Sequence, residues 1–218
     1  MMRLDSDGAE HFPDLLPADE MEVFLRLGER IAEGEAGQRL IGDPDVDHLT
    51  NGAMGKLAKT LLPGAMPVRA ILFDKSAGKN WPLGWHQDRT ICVKQRAEVP
   101  GYGPFSVKHG LTHVAPPADL LSRMITLRAH LDPCGEDNAP LKIACGSHKL
   151  GLVPEAEVPE AVARSKVMTC PASPGDVWAY ATLVLHASDK AAVPARRRVL
   201  HVDYAAEMLP SPLEWAGV

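Results

Sequence analysis

The chain has 218 residues, of which 45% are hydrophobic and 23% charged, and its formal net charge is -5 at pH 7. These values are typical of one globular domain with a sizeable core, so we expect residues 1–218 to form a single domain. The net negative charge and the lack of a basic run longer than residues 196–198 argue against a nucleic acid partner. No apolar run approaches the roughly 18 residues that a membrane span needs, and the N-terminus has no apolar signal segment. We therefore expect a cytoplasmic protein without a membrane partner.

Two helices are predicted before residue 66. Apolar residues near a 3.6-residue period follow Pro17, and Gly34 and Gly37 end that pattern. A second helix is predicted from about residue 45 to 62, where Pro63 stops it. We expect residues 1–66 to form a helical N-terminal cover over the remainder of the domain. The four cysteines have no C-x-x-C spacing, which predicts reduced and mostly buried thiols.

From residue 68 the apolar period changes to two, which predicts β-strands. The predicted strands cover residues 68–74, 86–94, 124–131, 141–144, 167–170, 176–180, 183–188 and 197–204. Residues 100–117 are predicted as a long functional loop and residues 155–165 as a surface helix. Short strands at hairpin-like spacing after two helices indicate a mainly β fold with helical cover (α+β), a sandwich or barrel. The polar sides of several strands would face an internal cavity, as in a jelly-roll binding site. Residues 67–205 would form this core and 206–218 a tail.

Three His-x-Asp pairs occur: His86-Gln87-Asp88, His130-Leu131-Asp132 and His201-Val202-Asp203. Residues two apart on an extended strand point to the same face, so each pair can offer two metal ligands. With nine histidines and 28 acidic residues, about one such pair is expected by chance, so the pair alone identifies nothing.

A site with two histidines and one carboxylate needs its second histidine from a distant strand. No histidine follows His201, whereas His186 lies in an apolar strand downstream of the other two pairs. Arg197 comes eleven residues after His186, and its guanidinium can bind a carboxylate bidentately. Either of the first two pairs could therefore combine with His186.

The ordered set of motifs resembles the phytanoyl-CoA dioxygenase family. The motifs are Trp85-His86-Gln87-Asp88, Asn138-Ala139-Pro140-Leu141, Gly146-Ser147-His148-Lys149-Leu150-Gly151, Gly175-Asp176, Leu185-His186-Ala187-Ser188 and Arg197-Arg198-Val199-Leu200. They extend from about residue 68 to 205. The family comprises iron(II)- and 2-oxoglutarate-dependent oxygenases with a double-stranded β-helix, the cupin-like jelly roll. Its members read Gly at the position of Ala139.

The resemblance implies a role for each matching residue. His86, Asp88 and His186 would bind iron(II), with His130-Leu131-Asp132 as the alternative pair. Arg197, assisted by Ser188, would bind the distal carboxylate of 2-oxoglutarate. Arg198 is the alternative for this role, because the register of the strand decides which of the consecutive arginines faces the cavity.

Other inward residues have less specific implied roles. Ile71 matches a position that packs against 2-oxoglutarate. Arg128 would contact the C1 end of 2-oxoglutarate or a substrate anion, and its alternative is a buried ion pair with Asp203. Three further side chains would suit a small polar or anionic substrate. These are Arg69, His130 and Lys94.

The implied function is that of an iron(II)/2-oxoglutarate-dependent dioxygenase. It would hydroxylate, or otherwise oxidise, a C–H bond of a small-molecule metabolite, using O2 and releasing succinate and CO2. Halogenating relatives lack the carboxylate at Asp88, so its presence favours hydroxylation. Two alternatives are a non-catalytic jelly-roll binding protein and a zinc-dependent hydrolase that uses the same His/Asp/His site. The complete ligand set argues against the first, and Arg197 argues against the second.

Overall fold

The computed structural model describes residues 2–30, 37–76, 78 and 80–218. The helices are α1 (Leu4–Asp7), α2 (Ala18–Arg30), α3 (Pro44–Asn51), α4 (Ala53–Leu61), α5 (Ala118–Ser122) and α6 (Val158–Ala163). The strands are β1 (Ala9–Phe12), β2 (Gln38–Leu40), β3 (Met66–Lys75), β4 (Leu83–His86), β5 (Ile91–Val93), β6 (Phe105–Lys108), β7 (Leu111–Val114), β8 (Ile125–His130), β9 (Leu141–Ala144), β10 (Val167–Cys170), β11 (Val177–Ala181), β12 (His186–Ser188) and β13 (Arg197–Ala205).

Two antiparallel sheets form the body of the fold. The larger has the strand order β1-β11-β8-β13-β3-β2, and the smaller has the order β10-β9-β12-β4. One face of the larger sheet is apolar, with Leu127, Leu200 and Val202 fully buried. Its other face carries polar side chains toward the smaller sheet, where the Tyr180 and His186 rings lie 5.2 Å apart. The mainly β architecture with helical cover is confirmed.

The helical cover packs on the apolar face of the larger sheet. Phe24 and Leu27 of α2 and Leu49 of α3 are fully buried in one core cluster with the strand residues. The hydroxyl of Tyr204 on β13 donates a hydrogen bond of 2.8 Å to the carbonyl oxygen of Thr50. Apolar burial and this buried hydrogen bond together attach the helices to the sheet.

The single helix predicted from residue 45 to 62 is two helices in the structure. Asp43 caps α3 by accepting a hydrogen bond from the Asp45 amide, and Pro44 occupies its first turn. At Gly52 the backbone turns away from helical geometry (ψ -130°) and α4 begins. The buried carboxylate of Glu20 accepts a hydrogen bond from the Ala53 amide, 2.9 Å away. This contact from α2 stabilises the break, and periodicity alone does not reveal it.

Several other predicted boundaries are wrong. The strand predicted at 86–94 ends at His86 and resumes as β5. The loop predicted at 100–117 contains the hairpin β6–β7, which pairs with β5 in a third sheet. Its turn is made by His109 and Gly110, both with positive φ, which suits a two-residue hairpin turn.

The N-terminal segment is not helical throughout. It also supplies β1 and β2, which form the two edges of the larger sheet. Helix α2 starts one residue after Pro17, as predicted, while the end predicted at Gly34 lies outside the described residues. The surface helix predicted at 155–165 is a 3-10 turn followed by α6. All four cysteines are free and three of them are buried.

Within the described residues, no helix combines the length and the apolar character that crossing a membrane requires. The cytoplasmic location stays a prediction.

The packing of α2 can be tested with two leucines of the same helix. Leu27 is fully buried, whereas Leu25 is 47% exposed. Leu27→Ala is expected to lower the free energy of unfolding by about 2–5 kcal/mol through lost burial and a cavity. Leu25→Ala is expected to cost less than about 0.5 kcal/mol. Urea unfolding followed by circular dichroism measures both; equal losses would contradict the packing of this face against the sheet.

Candidate metal centre

Three potential metal ligands converge between the two sheets. His86 ends β4, Asp88 lies in the coil that follows, and His186 begins β12. Their ligand atoms all lie within 4.8 Å of one another. The antiparallel pairing of β4 and β12 sets His86 directly opposite His186, with ring centroids 4.2 Å apart. The strand pairing therefore brings together residues separated by a hundred positions in the chain.

Backbone carbonyl groups orient both histidine rings. Nδ1 of His86 lies 2.7 Å from the carbonyl oxygen of Gly84, and Nδ1 of His186 lies 3.0 Å from that of Val184. A carbonyl oxygen only accepts, so Nδ1 carries a proton in each ring and Nε2 is left as the nitrogen that can bind a metal. Burial lowers the pKa of His186, so this imidazole is neutral at neutral pH. Neutral imidazole is the form that binds metals.

The carboxylate of Asp88 is held by positive charge. Burial raises its pKa, but the charges around it, including Arg69 at 3.9 Å, bring the pKa below its usual value. Asp88 also lies 3.9 Å from Nε2 of His186, and the hydroxyl of Tyr180 donates to it over 3.5 Å. Two imidazole nitrogens and one carboxylate oxygen are a donor set that fits a divalent transition metal such as iron(II) or zinc.

Gln87 positions the segment that carries Asp88. Its side chain is buried, and its amide donates to the carbonyl oxygens of Gly151 and Leu183 at 2.8 and 2.6 Å. Its own carbonyl accepts from the Val153 amide at 2.8 Å. These three hydrogen bonds turn the chain away from the β4 strand after His86. Asp88 therefore reaches the centre from a coil, and the prediction of one continuous strand through both ligands is wrong.

A buried polar network lies beneath the centre. Asp203 forms an ion pair of 2.6 Å with Arg69 and accepts from the hydroxyl of Thr126 at 2.9 Å. Its carboxylate also lies 3.1 Å from Nε2 of His201. The alternative of an ion pair between Arg128 and Asp203 is wrong, because Asp203 has these other partners. Arg69 thus supports Asp88 and Asp203 from behind the cavity.

Arg197 lies at the far end of the same cavity. It is 4% exposed and donates a hydrogen bond to the carbonyl oxygen of Ala139. The hydroxyl of Ser188 donates to the same oxygen over 3.0 Å. Burial lowers the pKa of the Arg197 guanidinium. A buried cation whose partners are neutral is suited to bind an anion.

Arg198 points to the opposite face of β13. Its guanidinium binds both carboxylate oxygens of Asp132, at 2.8 and 2.7 Å, and also Glu29 at 2.6 Å. Arg197, not Arg198, therefore faces the cavity. The same contacts exclude the alternative pair of His130 and Asp132, because Asp132 is turned outward to Arg198.

The cavity between the centre and Arg197 is strongly cationic. Its described lining contains Lys75, Arg128 and Arg197 but one carboxylate, Asp88. The lining consists of Phe73, Lys75, Trp81, Leu83, His86, Asp88, Arg128, Leu141, His186, Ala187, Ser188, Arg197 and His201. Such a charge balance favours a ligand with negative charge.

Residues 4–199 match the phytanoyl-CoA dioxygenase family. The chain belongs to this family. The match includes the N-terminal helices, which the motifs from residue 68 onward had left out. No curated protein matches the chain.

Solved structures similar to this family member share its jelly-roll fold. AviO1 from Streptomyces viridochromogenes Tue57 is 23% identical, with a TM-score of 0.68 over 95% of this chain and 94% of AviO1. EctD from S. alaskensis, solved with 2-oxoglutarate and 5-hydroxyectoine, is 18% identical, with a TM-score of 0.71 over 99% and 77%. The epimerase SnoN, solved with Fe3+, alpha ketoglutarate and nogalamycin RO, is 15% identical, with a TM-score of 0.67 over 93% and 80%. These similarities establish the double-stranded β-helix predicted for this phytanoyl-CoA dioxygenase family member.

The other predicted site residues lie at different depths in this family member. Ile71 is on the inward face of β3, but Phe73 lines the cavity instead. His130 is buried, and its Nδ1 has no hydrogen-bond partner in the described part of the chain. Lys94 is at the surface, paired with Glu214 at 2.7 Å. The substrate contact predicted for Lys94 is therefore wrong, because its side chain extends into solvent.

Sequence reasoning missed Lys75, Trp81 and Phe73 as lining residues. Phe73 and Lys75 continue the two-residue alternation of Arg69 and Ile71 along β3. The predicted strand ended one residue before Lys75. Extending the same alternation would have identified this cation.

The role of Gln87 is tested by Gln87→Glu, which keeps the shape of the side chain. The change removes the two donated hydrogen bonds and places a carboxylate against carbonyl oxygens, so it is expected to cost about 1–3 kcal/mol. Thermal unfolding and titration with Co(II) are expected to show a lower Tm and weaker metal binding. Exposed Gln95→Glu makes the same charge change and is expected to do neither. An unchanged Tm for Gln87→Glu would refute the role of this side chain.

Ala139 lies in the left-handed conformation, with φ of 51° and ψ of 59°. A side chain there costs roughly 1–2 kcal/mol, which glycine avoids. Ala139→Gly is therefore expected to raise the free energy of unfolding by about 1 kcal/mol, since relief of strain exceeds the added chain entropy. Ala161→Gly in helix α6 is the control, expected to lose about 1 kcal/mol. Chemical denaturation of both variants gives the comparison, and a loss at both sites would show that Ala139 is unstrained.

Proposed function

We propose that this protein is an iron(II)- and 2-oxoglutarate-dependent dioxygenase that hydroxylates a C–H bond of a small-molecule metabolite and releases succinate and CO2. One observation carries the proposal: the cluster of His86, Asp88 and His186 faces the buried Arg197 across one cavity. The hydrogen bond of this arginine is to a neutral carbonyl group and not to a carboxylate. Family membership supports the same function, and EctD and SnoN, which share the fold, were solved with the cosubstrate.

The ligand set would hold iron(II) through Nε2 of His86, Nε2 of His186 and the carboxylate of Asp88. The carbonyl groups of Gly84 and Val184 keep both rings in the metal-binding tautomer. Bound iron would supply the oxygen chemistry that amino-acid side chains lack, with O2 and 2-oxoglutarate as cosubstrates. Three protein ligands leave coordination positions for these small molecules.

The cationic end of the cavity would select the cosubstrate. Arg197 and Ser188 already converge on the carbonyl oxygen of Ala139, so their donors point to one place. A distal carboxylate beside that oxygen would receive charge-assisted hydrogen bonds from the other N–H groups of Arg197. Arg128 lines the cavity, and its Nε has no hydrogen-bond partner among the described residues, which suits the C1 carboxylate or an anionic substrate group. A zinc hydrolase has no use for this arrangement.

Asp88 bears on the type of reaction. With a metal bound, its carboxylate would serve as a ligand where halogenating relatives bind a halide, so hydroxylation is favoured over halogenation. The small number of aromatic residues, at 5% of the chain, favours a small polar or anionic substrate over a large flat one.

The function is tested by anaerobic loading with iron(II), followed by O2 and 2-oxoglutarate. Oxygen-dependent succinate, measured by mass spectrometry, is expected at a low uncoupled rate and at a higher rate with the right metabolite. A screen of small anionic metabolites for stimulation would identify the substrate. Metal-loaded, folded protein that forms no succinate under any condition would refute the proposal.

Two variants separate metal binding from cosubstrate binding. His186→Ala is expected to lose iron binding and all turnover, because one of three ligands is gone. Arg197→Ala is expected to keep iron and to raise the 2-oxoglutarate KM by about tenfold or more, for the loss of a charge-assisted contact. Arg96→Ala, at the surface, is the control with the same charge change. An unchanged KM in Arg197→Ala would exclude Arg197 from the cosubstrate site.

A further inference from the structure

We propose that Lys75 is a second cationic anchor for the distal carboxylate of the cosubstrate, acting with Arg197. This inference rests on the proposed function and names a residue that the motifs of the chain do not include. Lys75 ends β3, and its side chain lines the same cavity as Arg197 and Ser188.

The strand register places the two cations together. Lys75 of β3 and Arg197 of β13 are direct partners in the antiparallel pair. Like charges directly opposite each other destabilise a sheet, and burial strengthens the repulsion. The partners of both side chains in the described part of the chain are neutral. An anion between the two cations would remove the repulsion.

The contacts of Lys75 aim its ammonium group at the site of the distal carboxylate. Nζ lies 3.4 Å from the hydroxyl of Ser188, which itself donates to the Ala139 carbonyl that Arg197 also contacts. Nζ further donates to the carbonyl oxygen of Trp81 at 2.9 Å and lies 4.6 Å from the centroid of its ring. Lys75, Ser188 and Arg197 thus surround one end of the cavity. A carboxylate has two oxygens, so each cation can take one.

The electrostatic environment agrees with an anion at this end. Burial, Arg197 and Arg128 lower the pKa of Lys75 to about 8. Among the described residues, the charged groups that act on Lys75 are these two arginines, from β13 and β8, and the thiol of Cys134 opposes them. A bound carboxylate would raise the pKa again. Cosubstrate affinity is therefore expected to fall as the pH rises through about 8, where the free protein loses the ammonium proton.

The alternative hypothesis is that Lys75 only holds the segment at Trp81 against β3. The two hypotheses predict different effects on ligands with and without a distal carboxylate. A direct contact acts on 2-oxoglutarate but not on 2-oxobutyrate, which has the same chelating end and no distal carboxylate. A purely structural contact affects both ligands equally.

The experiment measures both ligands by calorimetry on Mn(II)-loaded protein without oxygen. Lys75→Met is expected to weaken 2-oxoglutarate about tenfold and 2-oxobutyrate less than twofold. Lys75→Arg is expected to recover most of the 2-oxoglutarate affinity. Lys94→Met makes the same charge change at the surface and is expected to alter neither ligand. Between pH 7 and 9.5 the wild-type preference for 2-oxoglutarate is expected to fall, and the Lys75→Met preference to stay constant.

The outcomes separate the two proposals. If Lys75→Met lowers the affinity for both ligands equally, or for neither, Lys75 is not an anchor of the distal carboxylate. The proposed function would still stand in that case, provided that the wild-type protein binds 2-oxoglutarate more tightly than 2-oxobutyrate. A wild-type protein that binds the metal but does not prefer 2-oxoglutarate over 2-oxobutyrate would refute the cosubstrate site, and the anchor with it.

Discussion

The interior of this protein depends on the register of β13, which is paired on both sides. Alternate side chains of such a strand must point to opposite faces. Leu200 and Val202 therefore pack under the helices, while Arg197 and His201 line the cavity. A shift of one residue would turn Arg198 inward and place apolar side chains against the metal centre. The pairing with β3 and β8 excludes that shift, because their own apolar residues need the same outer face.

The two ends of the cavity differ in whether their buried charges have partners of opposite charge. At the end with the candidate metal centre, both carboxylates lie near a cation: Arg69 forms a close ion pair with Asp203 and a longer one with Asp88. At the other end the cations have neutral partners, and they repel one another. The first arrangement builds a stable scaffold for ligands, and the second leaves a charge for a ligand to neutralise. This asymmetry gives the cavity a direction, with the candidate metal centre at one end and a cationic end suited to an anion at the other.

Much of the site could be predicted from the sequence, because strand alternation and ordered motifs carry local information. His86, Asp88 and His186 converge as expected, and Arg197 faces them. The misses have non-local causes. Lys75 lies one residue past a predicted strand. Lys94 is predicted to be the last residue of an inward-facing strand, but β5 ends at Val93 and the Lys94 side chain is exposed and paired with Glu214. That Asp203 pairs with Arg69 and not with the predicted Arg128 follows from the register of β13, which sets Asp203 opposite Arg69 on β3 and His201 opposite Arg128 on β8.

The sequence by itself determined the fold class, the family and the residue types of the candidate centre. Periodicity, composition and motif order are properties of the amino-acid sequence, so they can be recognised without a structure. Only the tertiary structure decided which pair joins His186, since that depends on β4 lying beside β12 and on Gln87 bending the chain between the ligands. It also decided that Arg197 and Lys75 share one end of the cavity. Contacts between distant strands are set by the packing of the whole core, which no local pattern contains.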